Sequence, residues 1–585
     1  MLACSLSWAA ACGTNQPGGD GRKVFRYGAR TGSAKSLDPV KQFDAASAEL
    51  IQNVYDTLLE YHYLKRPYEL TPSLLSKMPE LSADGLTYRF ELRAGVRFAD
   101  DPCFPGGKGR VLTSDDVIYS FKRFADANTN EQSYVLWQGA VVGMDEFREQ
   151  TRKLGKAVRY DRLEIAGVRK LDAQRFTIRL NHPNPLALLP LAASQLAIHP
   201  REAVEHYREE FERHPVGTGA FRMKVYSRRG VVILTKNPDY FGVYPSEGAP
   251  GDAQRGLLAS AGKRLPLLDE VHMPLLEETQ PAILQFLVGQ LEWVAMDRDN
   301  FLKMAYRDER GFHLKGDFAR KFTIYSEPML SMEYFFFNMD DPLVGKNRAL
   351  RQAIAYAFDN AGFISEMKNG RGAVLRSPVP LPIAGSQSDV EYDWYDHDLE
   401  LAKRKLVEAG YPGGKGLPPI TIEYRASNTS VRQEFEYRRA NLAKLGVKLV
   451  PNFQTFSAFL DRVDRGNFQM MSGGWQADYP DAENFYQLLY SKNKRPGPNA
   501  GNYNDREYDA LFEQMKAMPN GPERYALFAK MVSLLERDVP MVFTYSPIAV
   551  GMNQRWIKNF KRNMMIDTPF KYFDLDTAKQ SKGFY

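Results

Sequence analysis

Residues 472–485 read SGGWQADYPDAENF. The preceding residues 468–472 have the apolar content of a buried strand, and Phe485, Leu488 and Leu489 fall on one face of a helix opened by Asp481. A strand end followed by a helix start is where α/β proteins build sites. Gly473 and Gly474 let the backbone be approached closely, Trp475 supplies a flat apolar wall with one N–H donor, and Asp478 sets a carboxylate beside it. Such a pocket suits a cation with an apolar neighbour. The same residues also fit a surface turn whose aspartate caps a helix and whose tryptophan packs inward.

Working outward, residues 420–424 alternate like a strand, a helix from about residue 433 ends before Gly446, residues 447–450 form a strand and residues 456–463 a helix. With residues 468–472 this is a β-α-β-α-β succession, which places Trp475 and Asp478 at the carboxyl edge of its strands. Residues 87–93 and 175–180 each put three apolar residues on one strand face. Between them Thr113 and Asp116 make a capping-box pattern ahead of the stripe Val117, Phe121 and Phe124. Helical spacing recurs at Leu284, Leu287, Val288 and Leu291 and at Leu350, Ile354 and Phe358.

GWQADYPDAENF resembles the ligand-binding segment of the peptide- and nickel-binding family of ABC-transporter solute-binding proteins, bacterial extracellular solute-binding protein family 5. Several ordered segments carry the same resemblance: SLDPVKQFDAASAELIQNVYDTLLEY at 36–61, TSDDVIYSFKRF at 113–124, HPVGTGAFRM at 214–223, FFFNMDDPLVGKNRALRQAIAYAFD at 335–359 and VPMVFTYSP at 539–547. The resemblance implies an α/β periplasmic-binding-protein fold with two lobes joined by two crossing segments. Lobe 1 comprises residues 23–62, 190–273 and 545–585, an accessory domain residues 63–189, and lobe 2 residues 274–544. It also implies that Asp478 pairs with a ligand α-amino group and that Trp475, Ala477 and Tyr479 line the cleft beside it. The loop 42–46 contributes Phe43 and Ala45, and Tyr134 or Trp137 presents an aromatic ring. Arg351 matches a basic residue of the family, for which a structural ion pair is expected, with contact to a ligand carboxylate as the alternative.

Independently of the family, 585 residues with 44% hydrophobic and 25% charged composition are too many for a single core. A net charge of +6, from 77 basic and 71 acidic residues, gives no warrant for a nucleic-acid partner. The basic run Arg148, Arg152, Lys153, Lys156, Arg159 and Arg162 reads as a solvated face. The eight histidines include no pair at zinc-helix spacing. No Walker-type GxxxxGK[ST] occurs, so any ATP hydrolysis belongs to partners. A hydrolase using Glu277, Glu278, Asp478 and Asp481 is the alternative from another class, though no nucleophile elbow or Cys-His signature accompanies these carboxylates.

Residues 1–11 are apolar or small and end in Ala9, Ala10 and Ala11 ahead of Cys12, like the end of a bacterial lipoprotein signal, although no Lys or Arg precedes the run. This implies lipidation of Cys12, a leader and linker over residues 1–22, and an extracytoplasmic protein tethered by lipid. Of the other cysteines, Cys4 leaves with the signal and Cys103 stays unpaired, so neither a disulfide nor a Cys-based metal site is expected.

The expected function is the receptor of an ABC importer. It captures peptides by lobe closure as a monomer, without a cofactor, and delivers them to the permease. Nickel chelates, oligosaccharides and peptide-like antibiotics are the alternative ligands within the fold.

Overall fold

The computed structural model describes residues 21–28, 34–42, 44–129, 134, 137–227, 230–276, 278–566 and 568–582. Cys12, Phe43 and Glu277 lie outside them.

The chain opens with β1 (Val24–Arg26) and α1 (Ala45–Val54), the latter started by Asp44, whose carboxylate accepts the Ser47 N–H at 2.9 Å. Strands β2 (Thr87–Glu91) and β3 (Arg175–Arg179) pair antiparallel, with Phe90 opposite Phe176 and their rings stacked at 4.8 Å. Against them packs α2 (Ser114–Ala125), whose capping box is formed: the Thr113 N–H donates to Asp116 Oδ2 at 2.8 Å. Its stripe Val117, Phe121 and Phe124 is fully buried, at about 1.5–3 kcal/mol of stabilisation per side chain.

Strands β4 (Phe221–Tyr226), β5 (Val231–Lys236) and β6 (Glu270–Pro274) complete a four-stranded sheet in the order β1-β6-β5-β4. The Gly-Thr-Gly turn before β4 is required by contact with α1. A Cβ on Gly219 would stand 2.3 Å from the Val54 carbonyl carbon.

The second half is built on an eight-stranded sheet. Its members include β7 (Trp293–Ala295), β8 (Phe322–Pro328), β9 (Ser331–Phe337), β10 (Ile420–Tyr424), β11 (Leu449–Phe453), β12 (Met470–Gln476) and β13 (Met541–Gln554). The order is β7-β13-β9-β12-β10-β11, with β8 and the strand Gly372–Val374 also paired to β13. Strands β10, β11 and β12 run parallel, connected by α4 (Thr429–Ala443) and α5 (Phe456–Asp464). This is the α/β succession expected from the sequence, except that β12 continues to Gln476, so Trp475 belongs to the strand.

Three cores result. One joins β1, α1, the β2–β3 layer and β4–β6 to Phe570, Tyr572 and Phe573. A second spans residues from Leu330 to Phe543 around β9, β10 and β12. A smaller third gathers Ala282, Ile283, Phe286, Phe322, Val550 and Met552. The 14-residue β13 passes between cores, pairing through Met541–Tyr545 with β9 and through Ile548–Gln554 with β8. The chain from β8 to β9 makes the same passage at Met329.

Two expectations are corrected. In α3 (Thr279–Leu287) the buried face is Ala282, Ile283 and Phe286, whereas Leu284 and Val288 are 55% and 66% exposed. The sheet lies under the neighbouring stripe, which spacing alone did not distinguish. Arg351 is buried but makes no carboxylate pair in its hydrogen bonds: it donates to the carbonyls of Val344, Gly345, Asp538 and Val539. Among the described residues no helix is long and apolar enough to cross a membrane.

Candidate functional site

The carboxyl ends of β10 and β12 share one edge of the sheet. Their pairing stops at Ile422–Met470 and Glu423–Met471, so from Ser472 onward β12 has a strand partner on the β9 side alone among the described residues. One edge of residues 472–476 is therefore open to an extended chain. The Ala477 N–H is already taken by the Leu330 carbonyl at 2.8 Å, which pins the strand end.

The loop beyond it is organised by Asn484, a fully buried residue in α6 (Glu483–Tyr486). Its side-chain oxygen accepts the Trp475 indole N–H at 2.9 Å and the Asp478 backbone N–H at 3.1 Å, while its nitrogen donates to Asp478 Oδ2 at 3.1 Å. The indole plane and the carboxylate are thus fixed by one amide. Sequence reasoning missed Asn484; its position nine residues after Trp475 and six after Asp478 offered no local pattern.

Asp478 remains open to solvent, yet protein surrounds it closely enough that desolvation raises its pKa above the ordinary carboxylate value, against the opposing Asn484 hydrogen bond. Among the described residues no cation pairs with it. Asp481, three residues on, is the reverse case. It is buried, caps the turn by accepting the Glu483 N–H, and takes Arg524 bidentately at 2.7 and 2.8 Å. Tyr479 donates its phenol to Glu483, whose carboxyl burial pushes up to about 6.

Tyr479 and Glu483 also form one wall, with Lys516, of a cavity of about 290 Å³; the opposite wall includes Trp137, Leu186 and Ala187. Trp137 is 2% exposed, packed edge-on to Phe121, and its indole N–H has no partner among the described residues. Two residues far apart in sequence thus meet across the gap. Tyr134 is not among the lining residues: its phenol engages Asp145 and Arg148 lies 4.2 Å over its ring. Ala45 lines a separate cavity of about 360 Å³ with Tyr27, Trp293 and Tyr325.

Two further charged residues border the open strand edge. Arg425 follows the last residue of β10, and Glu333 in β9 is the register partner of Gly474. They pair at 3.3 Å, directly over Gly474: a Cβ there would stand 2.9 Å from both Arg425 and Glu333. Only tertiary pairing reveals them, because the partner strand of β12 is not written in its own sequence.

Comparison with known proteins agrees with this architecture. The family described as "Bacterial extracellular solute-binding proteins, family 5 Middle" matches residues 69–497. "Heme-binding protein A" of Haemophilus influenzae is 25% identical over 89% of this chain and 86% of its own. "Oligopeptide-binding protein OppA" of Bacillus subtilis is 22% identical over 98% and 96%. Among solved structures, the periplasmic binding protein DppA from Helicobacter pylori, in complex with peptide STSA, superposes with a TM-score of 0.70 at 23% identity, covering 95% of this chain and 98% of that one. With the β-α-β-α-β edge, the two crossing passages and a match over most of its length, the chain belongs to the bacterial extracellular solute-binding proteins of family 5.

Proposed function

We propose that this protein is the extracytoplasmic solute-binding component of an ABC importer that captures peptides and delivers them to the membrane permease. The observation that carries this is Asp478, a desolvated carboxylate held by Asn484 and lacking any cation of its own among the described residues. A ligand ammonium completes it with a charge-assisted pair that is weakly screened once the lobes close over it. The open edge of residues 472–476 offers main-chain pairing to the following residues, Trp475 packs beside the first one, and the guanidinium of Arg425 stands at the same edge for a ligand carboxylate. The names of relatives that bind oligopeptides and of a solved structure holding a peptide support the same ligand class.

Residues 23–62, 190–273 and 545–585 make lobe 1 in this proposal, residues 63–189 the accessory domain and residues 274–544 lobe 2. Closure bends the chain near Met329 and near Ser546–Pro547, where Ser546 Oγ donates to the Met329 carbonyl at 3.0 Å. The cavity between Trp137 and Tyr479 narrows as the lobes close. Cys12 carries the lipid tether and the protein acts as a monomer. Against a hydrolase of the paired-carboxylate kind, Asp481 is locked by Arg524 and Glu483 by Tyr479, so the motif leaves Asp478 without a second free carboxylate beside it.

Calorimetry with trialanine and its N-acetylated form tests the assignment. Acetylation abolishes binding to the wild type and matters little in Asp478→Ala. Equal wild-type affinity for both forms removes Asp478 from this role, and hemin binding in place of peptides transfers the ligand class to the heme-named relative.

A further inference from the structure

Arg425 is 41% exposed, and Glu333 is its one ion-pair partner among the described residues, through a single 3.3 Å contact. An Arg–carboxylate pair at its best is a bidentate fork with contacts of about 2.7–2.9 Å. The guanidinium therefore keeps donors unspent, at an open strand edge, beside a glycine that any side chain would displace. Glu333 is poorly compensated in turn. From β9 it faces Arg425 beyond β10, Glu434 of α4, Lys368 of the helix Asn360–Lys368 and the Tyr545 phenol of β13. Glu434 repels it, Lys368 lies 5.6 Å over the Tyr545 ring, and no hydrogen bond other than that from Arg425 reaches its carboxylate among the described residues.

Resting on the peptide assignment above, we propose that Glu333 is an internal competitor: its carboxylate holds the Arg425 guanidinium in the unliganded protein and is displaced when a ligand carboxylate forms the bidentate pair. Glu333 is a positioning residue here, acting on ligand through Arg425.

Displacement strips Glu333 of its only strong counter-charge in a place where burial already pushes its carboxyl up to about 7, so the displaced group takes up a proton from solvent. The sign follows. The competitor is mostly charged at pH 8 and is neutralised as pH falls through about 7, so the advantage of a ligand carboxylate grows toward acid pH. For a group titrating near pH 7 that must be protonated in the complex, the gain between pH 8 and pH 6 is about tenfold.

The test compares trialanine with its C-terminal amide by calorimetry at pH 6, 7 and 8, using the ratio of the two affinities so that effects at the amine and at Asp478 cancel. In the wild type the ratio favours the free acid by about tenfold more at pH 6 than at pH 8. In Glu333→Gln the preference for the acid is already high at pH 8 and flat with pH. A pH-independent wild-type ratio, or weaker binding of the free acid by a folded Glu333→Gln protein, overturns the competitor while leaving the amine site intact. Failure of both peptides to bind at any pH overturns the peptide assignment and this proposal together. The wild-type profile decides even where the variant does not fold.

Discussion

Asn484 donates its amide N–H to Asp478 Oδ2 at 3.1 Å while its own oxygen accepts the Asp478 backbone N–H, so one buried side chain grips this aspartate at both ends. The same oxygen holds the Trp475 indole. Orientation of the carboxylate and of its apolar neighbour is a single event.

Replacing Asn484 with Ala removes that grip without touching ligand. A hydrogen bond to a charged group contributes about 1.5–3 kcal/mol, so affinity for a free-amine peptide falls about tenfold or more. Calorimetry on a variant with an unchanged circular-dichroism spectrum measures it; unaltered affinity assigns Asn484 to the scaffold alone.

Asp478 costs the unliganded protein stability. Its pKa is raised in the fold, so the ionised form is disfavoured at neutral pH and this penalty disappears as pH falls through the raised value and then the unfolded one. Asp478→Asn therefore melts higher than the wild type near pH 7 and equal to it near pH 3, while losing amine binding. Thermal melts across that range check both signs, and a lower melting temperature at pH 7 contradicts the desolvation account.

The neighbouring pair behaves in the opposite way. Arg524→Ala leaves Asp481 buried without its counter-charge, which destabilises the fold by about 3–5 kcal/mol. Urea unfolding followed by fluorescence reads the shift in midpoint. A loss under 1 kcal/mol means that water replaces the guanidinium.

If ligand closes the two lobes about Met329 and Pro547 as proposed, small-angle scattering shows a smaller radius of gyration at constant mass when trialanine is bound. An unchanged radius with ligand demonstrably present rules out closure.

Cys12→Ala releases the protein from the membrane fraction if the lipid tether is as proposed. A wild-type protein already soluble and still carrying residues 1–11 contradicts the tether.

Local sequence determined the β-α-β-α-β order, the capping box at Thr113 and Asp116, and the coincidence of Trp475 and Asp478 at one strand end, because each depends on periodicity or on contacts within a few residues. It read Asp481 as a helix start but not as one half of a buried ion pair, because Arg524 lies 43 residues further on and folds back onto it. Nor did it choose the buried stripe of the helix Thr279–Leu287, whose faces are both apolar enough to serve. Glu333 and Arg425 meet because β9 and β10 flank β12 on opposite sides, and Trp137 and Tyr479 line one cavity although 342 residues separate them in sequence. Strand order and the approach of distant layers are set by how these cores bury their apolar faces together, and that is a property of the assembled chain, not of any segment of it.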